Sequence, residues 1–542
     1  MFTDFSNEEP AELAERLYTR RLPESVYEVL SDTARNYGDR PAWYFIDDGF
    51  GRNWREVLDL VDRAADALHS IGIRTGSHVA VMAWNIEEFP VTWLALAKLG
   101  ATMVPVNARY TAREVSYVLE TSKATHFVVE EQLLSIVQDA DRPNVPDANM
   151  VVIGTAPAPF RSWLQIHREA SQHAPTAAFD PDRLLNLQYT SGTTGFSKAC
   201  MLSHRYWIIL GLTSVEMFAT KIERFYASLS FFYMVPQRIL MNTMFAGGCI
   251  IFPRKPSAKR FMLDVANFDC EYCLPFISIA KEPARPEDSN HRMKVGSSGL
   301  GTLASGEQSA FQTRFNFLIQ NFYGMTEIGG ATMVPAHHVA RTTDTGTIGL
   351  TMPFREVGVF DEDGNRVAQG EMGEICVKGP GLLQGYFDNP DATASSFRED
   401  WFRTGDLGRQ DSDGYFYLVG RLKDMVRRGG ENIAAREVET VLRMIPDILE
   451  VAIVPVPDDH TGEEVKAYIQ LRDGVTPEQI GPELVLEHCK QNLAPFKVPR
   501  YIEYVTEFPL TDSNRVQKRK LIAAKPDLRH GSYDRLLVKW WS

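Results

Sequence analysis

Residues 189–204 read YTSGTTGFSKACMLSH and crowd hydroxyls and glycines ahead of a lysine. Thr190, Ser191, Thr193 and Thr194 surround Gly192 and Gly195, and Lys198 follows. Glycine lets backbone N–H groups turn toward an anion, hydroxyls add donors, and lysine adds positive charge. This is the chemistry of a phosphate cradle, without the G-x-x-x-x-G-K-[ST] spacing of a Walker loop. A second stretch, NFYGMTEIGG (321–330), sets Thr326 and Glu327 just after Gly324. Hard cations such as Mg²⁺ prefer oxygen ligands and are commonly shared with phosphates, so Glu327 is a candidate metal ligand. A third stretch, 401–439, holds Asp406 after a Thr-Gly turn, then Arg421, Lys423 and the pair Gly429–Gly430. Asp406 can accept hydrogen bonds from ribose hydroxyls, the cations suit an anionic ligand, and paired glycines allow close backbone approach.

The elements that must position these groups are legible in outline. Leu58, Val61, Ala65 and Leu68 recur at helical spacing and Gly72 ends that segment. Residues 78–83 (HVAVMA), 103–106 (MVPV) and 125–129 (THFVV) read as buried strands. They are separated by helices predicted over 90–99, closed by Gly100, and over 111–119. Strands alternating with helices of this length indicate parallel βαβ units. From about Gly346 short runs broken by D-x-D-G, Q-G and K-G turns predict an antiparallel region ending with YFYLVG at 415–420. After Arg421 a helix carrying Val438, Val441, Leu442 and Ile445 precedes strands at 451–456 and 465–471. A helix near 482–491 and a strand near 502–505 complete this part. These make a small α+β unit of about 120 residues, large enough for its own core. The expected class is α/β, with a large N-terminal domain of parallel-rich βαβ subdomains plus a β region over 1–422 and an α+β domain over 423–542.

Composition narrows the function. The chain has 542 residues, 44% hydrophobic and 23% charged, ordinary for a folded protein of several domains. The net charge of −13 disfavours nucleic-acid binding, which needs basic surface. Six cysteines are too few for a disulfide scaffold. Cys270 and Cys273 form a lone C-x-x-C without a second pair or suitably spaced histidines, so a structural role is expected over zinc. The N-terminus lacks an apolar signal segment and no apolar run approaches the ~20 residues of a membrane span. A cytoplasmic protein is expected.

Taken together and in order, the three stretches resemble those of the adenylate-forming superfamily of acyl-CoA synthetases, peptide-synthetase adenylation domains and luciferases. Its T-S-G-T-T-G-x-P-K-G appears here as TSGTTGFSKA, its Y-G-x-T-E as Tyr323–Glu327 and its T-G-D as Thr404–Asp406. Its G-R-x-K-D appears as Gly420–Asp424 and its G-G-E-x-I as Gly429–Ile433. The likeness runs from about Asn53 to Leu521. It implies an enzyme that joins a carboxylic acid to AMP using ATP and Mg²⁺, then lets a thiol such as CoA displace AMP. By resemblance, Thr190–Thr194 and Lys198 hold ATP phosphates, and Thr326 and Glu327 act on phosphate and Mg²⁺. Tyr323 lies near adenine, Asp406 and Arg421 bind ribose, and Gly299 and Gly301 border adenine and acyl group. Tyr233 and Gly324 shape the acyl pocket. The small domain is expected to swing about Lys423–Asp424, presenting a C-terminal lysine for adenylation or the Gly429–Gly430 loop for thioester formation.

The sequence departs from this pattern where the lysine belongs. The signature resembling P-R-T-x-x-G-K-[IV]-x-[KR] reads PLTDSNRVQKRKL over 509–521, which puts Asn514 on the glycine and Arg515 on the lysine. Lys518 and Lys520 come too late. A planar guanidinium on a differently jointed stem does not replace a compact ammonium at a bridging point. Ser197 and Ala199 also replace the usual proline and glycine of the phosphate loop. The expectation is weakened adenylation with thioester formation retained, so that a separate adenylating enzyme would supply the acyl-adenylate. The alternatives are a complete two-step ligase, an adenylation enzyme loading a carrier protein, and a non-catalytic nucleotide-binding protein. No carrier domain is seen before Ser542, which favours CoA as acceptor. The aromatic run FYASLSFFYMVP (225–236) is expected to line a roomy apolar cavity, and with it a hydrophobic acid larger than acetate.

Overall fold

The computed structural model describes residues 6–170, 175–190, 197–275, 277–298, 306–428, 431–510 and 516–541. Among the described residues the strands form three sheets. The first is parallel across strands Arg161–Ser162, Met150–Ile153, His126–Glu130, His78–Met82, Thr102–Pro105 and Leu184–Tyr189, and ends in an antiparallel hairpin with Ala199–Ser203. Its helices form as patterning demands. Trp54–Ser70 starts at Asn53, whose side chain accepts from the Glu56 N–H while Glu56 returns the bond, and it buries Val57, Val61, Ala65 and Leu68. Glu88–Leu99 is buried from Phe89 onward and stops at Gly100, whose φ of 67° is left-handed.

The second sheet starts with parallel strands, including Arg224–Tyr226, Cys249–Phe252, Tyr272–Cys273, Val295–Ser298 and Leu318–Met325. It continues as antiparallel Gly329–Met333, Thr347–Thr351, Phe416–Arg421, Trp401–Gln410, Gly373–Lys378 and Glu356–Phe360. The third sheet belongs to the C-terminal part and is built on the long pair Ile448–Asp458 and Gly462–Leu471, with Tyr501–Val505 parallel to the latter. One apolar cluster runs from Leu13 to Phe416. A separate one, with Val438, Leu442, Ile453 and Ile469, fills the C-terminal part.

Two readings of the sequence change here. The Thr-Gly step before Asp406 is not a turn between elements. It lies inside the ten-residue strand Trp401–Gln410, which Gly405 crosses at φ 70°. Most aromatics of 225–236 belong to the apolar clusters of the core. Phe225, Tyr226, Phe231 and Phe232 are buried in the core, Phe231 packing against Phe89, Trp93 and Phe252. Cys270 and Cys273 are buried among Tyr226, Phe261 and Phe317, and burial pushes both thiols up.

Candidate active site

The expected phosphate loop springs from the hairpin of the first sheet. Thr190 N–H donates to the Lys198 carbonyl at 3.0 Å, closing its neck, and the Tyr117 hydroxyl donates to the Ser197 carbonyl at 2.9 Å. Ser191, Gly192, Thr193 and Thr194 lie outside the described residues. Lys198 directs its ammonium over the Tyr386 ring, 4.6 Å from the centroid. The Tyr386 hydroxyl donates to Glu327 Oε1 at 3.1 Å. Lys198, Tyr386 and Glu327 thus form one cluster from three distant parts of the chain.

Backbone bonds fix that cluster. The Leu383 N–H donates to the Glu327 carbonyl at 2.8 Å, Met201 N–H to Gly385 at 3.0 Å, and Phe387 N–H to Ala199 at 2.9 Å. Thr326 and Glu327 sit between antiparallel strands Leu318–Met325 and Gly329–Met333. Gly324 is obligatory there, because a Cβ would lie 2.0 Å from the Gly329 carbonyl oxygen. The Tyr206 hydroxyl holds the Thr326 carbonyl at 3.0 Å. Burial pushes the Glu327 carboxyl above its ordinary range, against the opposing pull of Tyr386, Lys198 and Arg421. A buried carboxylate held beside the neck of the expected phosphate loop offers oxygen ligands of the kind a divalent ion prefers.

A second cluster gathers Tyr323, Asp406 and Arg421. The Tyr323 hydroxyl donates to Asp406 Oδ2 at 2.8 Å, and Arg421 Nε lies 3.2 Å from Oδ1. Asp406 and Arg421 face each other across neighbouring strands. Thr404 Oγ1 accepts from the Asp406 N–H at 3.0 Å and so sets the carboxylate's direction. Burial and the Asp406 charge hold the Tyr323 hydroxyl far above its ordinary value, so it remains a donor. The arrangement offers carboxylate, guanidinium and ring to one ligand.

Other expected residues fall elsewhere. Tyr233 caps the helix Met234–Ala246 at its N-terminal end, and its hydroxyl accepts from Asn107 at 3.3 Å. Lys423 and Asp424 occupy a single turn, Leu422–Asp424, between strands Phe416–Arg421 and Met425–Arg428. Gly299, Gly301, Gly429, Gly430, Asn514 and Arg515 lie outside the described residues. Lys518 is 2.7 Å from Glu439 and 3.9 Å from Asp424. Tyr386, Tyr206 and Arg355 escaped sequence reasoning. Arg355 is buried and donates to the carbonyls of Ile328, Gly330, Phe354, Pro380 and Gly381, clamping the segments that carry Glu327 and Tyr386. Nothing in its local sequence marks it.

Comparison with known proteins places this geometry. Residues 30–387 match the family model of the AMP-binding enzyme, and 437–515 match the AMP-binding enzyme C-terminal domain. A crotonobetaine/carnitine–CoA ligase of Salmonella paratyphi A is 30% identical over 517 residues, covering 92% of this chain and 99% of its own. ATP-bound MatB from Rhodopseudomonas palustris superposes with a TM-score of 0.82 at 26% identity, covering 92% of this chain and 98% of its own. The o-succinylbenzoate CoA synthetase of Bacillus subtilis with its acyl-adenylate shares the fold, with a TM-score of 0.79 at 22% identity over 92% of this chain and 98% of its own. The chain belongs to the AMP-binding enzyme family and is an acyl-CoA ligase, working with adenine nucleotide and CoA.

Proposed function

We propose that this ligase forms an acyl-CoA thioester from an acyl-adenylate and CoA, releasing AMP, and that its ATP-dependent adenylation step is slow. The observation that carries this reading is the C-terminal segment 509–517, PLTDSNRVQ, whose one basic residue is Arg515. Its ends are drawn together, Leu510 bridging to Val516 and the Gln517 N–H donating to the Pro509 carbonyl at 2.7 Å. The next lysine, Lys518, is engaged by Glu439 and is not free to replace it. Losing one well-placed charged donor costs an adenylation step roughly 10²–10³ in rate. A separate adenylating partner would then supply the substrate.

The thiol of CoA gives its proton to solvent and attacks the carbonyl carbon of the mixed anhydride, and the bond to the AMP phosphate oxygen breaks, its electron pair leaving with AMP. Asp406, Arg421 and Tyr323 hold the nucleoside. Thr190–Thr194, Lys198 and Thr326 hold phosphate. Glu327 would hold Mg²⁺, which neutralises phosphate charge. Gly299, Gly301, Tyr233 and Gly324 border the acyl group. Residues 423–542 turn on Lys423–Asp424 against 1–422, bringing the Gly429–Gly430 loop to the anhydride for this half-reaction. The acid itself is larger than acetate and partly apolar.

A split assay tests the proposal. One arm supplies ATP, Mg²⁺, CoA and a panel of acids that includes the relatives' named substrates. The other supplies presynthesised acyl-adenylates and CoA. Thioester from the adenylate arm at a rate at least about 10²-fold above the acid arm is expected, and Arg515→Lys should close most of that gap. Comparable rates in both arms would establish a complete two-step ligase, a reading favoured by the assembled Lys198–Tyr386–Glu327 cluster.

A further inference from the structure

Arg238 lies in the helix Met234–Ala246, one turn beyond Tyr233, and is 1% exposed. Its guanidinium sits 4.8 Å from the centroid of the Phe322 ring, and Nη2 donates to the Tyr272 hydroxyl at 3.1 Å. Nε and Nη1, which carry three of the five guanidinium N–H bonds, have no hydrogen-bond partner among the described residues. No carboxylate lies within ion-pair distance of it among them either, in contrast to Arg500 or Arg428. A buried cation with most of its donors unused is an expensive arrangement. A ligand that brings acceptors and a counter-charge would offset that cost.

Its surroundings say which ligand. Sheet register places Tyr272 opposite Val295 and Ser297 opposite Gln320. With side chains alternating along each strand, Tyr272, Ser297 and Phe322 therefore share one sheet face, the face the Arg238 helix covers. Three elements that the proposed reaction assigns to the acyl group meet here. They are the helix headed by Tyr233, the strand Val295–Ser298 that leads to Gly299, and the strand that carries Phe322, Tyr323 and Gly324. Tyr233, Met234, Phe322 and Gly324 are all half-buried, so this wall is not sealed from solvent. Arg238 stands behind it. Its charge reaches Tyr206, which holds the Thr326 carbonyl.

We propose that Arg238 is a specificity residue that binds a second carboxylate at the far end of the acyl group, making the substrate a dicarboxylic acid activated at one end. The inference rests on the acyl-adenylate reading above. A carboxylate accepts from the free Nε and Nη1 donors and supplies the missing counter-charge, while Phe322 contacts the apolar middle of the chain. A trimethylammonium-ended acid would be repelled, and a methyl-ended one would leave the donors unpaired.

The test uses the full chain and three straight-chain series over a ladder of lengths, ending in carboxylate, methyl or trimethylammonium. Each is offered as the free acid with ATP and CoA, and as the acyl-adenylate with CoA. Affinities of the matching non-reactive acyl-sulfamoyl adenosines are measured in parallel. At its best length the carboxylate series should exceed the methyl series about 10²-fold or more in kcat/KM and in affinity, with the trimethylammonium series weakest. Arg238→Met should remove that preference while AMP affinity stays within about twofold, and Arg238→Lys should restore part of it. A wild-type preference for methyl-ended acids, or an unchanged ratio in an Arg238→Met protein that still binds AMP, would overturn the inference. If either variant fails to fold, the wild-type ratio decides alone. Absence of thioester in every arm would reject the reaction, and the affinity ratio would still judge Arg238.

Discussion

Glu327 is ionised only against the resistance of its burial, and that has two opposite consequences. Its folded-state pKa is raised above 4.5. In the window above that value the folded chain therefore binds more protons than the unfolded one, and stability falls as pH rises through it. Glu327→Gln keeps the oxygen that accepts from Tyr386 and removes the buried charge. We expect a higher thermal midpoint than wild type at neutral pH, the difference shrinking as pH approaches 4.5. The same substitution should lower Mg²⁺-dependent pyrophosphate release about 10²-fold or more. Thermal melts across pH, paired with rate measurements, check both, and a variant less stable than wild type at neutral pH would contradict the assigned cause. At this scale the motifs were legible because each packs its chemistry into a few adjacent residues. Tyr386 was not, since it reaches Glu327 across 59 residues and only the fold brings them together.

Elements were legible where a period or a cap declares them. The strands at 78–82 and 126–130 and the helix ended by Gly100 follow from short apolar runs and one left-handed glycine. The run 225–236 misleads because aromatic content does not distinguish core from cavity wall, and Phe231 is core. Arg355 shows what local pattern omits. It is a fully buried cation whose acceptors are all backbone carbonyls, brought from Ile328 to Gly330 and from Pro380 to Gly381. Burial lowers its pKa to about 10, which still leaves it charged at neutral pH. Replacing it with methionine strands those carbonyls, at about 1–3 kcal/mol for each left unsatisfied. We expect Arg355→Met to lose at least about 3 kcal/mol in urea unfolding, and Arg355→Lys to recover little, because three donors from one point cannot span two segments. A loss below about 1 kcal/mol would mean the clamp is not needed to hold Glu327 beside Tyr386.

At the scale of the whole molecule, the two apolar clusters are separate, so turning the C-terminal part need not open either core. Among the described residues the junction is spanned by an exposed ion pair and by Arg436, which packs beside Gly420 within reach of the Asp406 charge. Arg427 and Glu362 are 3.8 Å apart with both side chains largely exposed, and such pairs contribute about 0–1 kcal/mol. Gly420 faces Ala434 and Arg436 without room for much more than a methyl group. In the proposed rotation the covalent pivot is the single turn Leu422–Asp424. Proline at 424 would fix its own φ near −65° and push Lys423 out of helical geometry, breaking that turn. Asp424→Pro should therefore slow thioester formation from a supplied acyl-adenylate by about tenfold or more. AMP affinity, which the proposed reaction assigns to Asp406, Arg421 and Tyr323 before the pivot, should stay within about twofold. Rapid-quench rates and calorimetry on the same preparation separate the two quantities. Equal rates in variant and wild type would place the pivot elsewhere, or show that the thiol reaches the anhydride without rotation of the small domain.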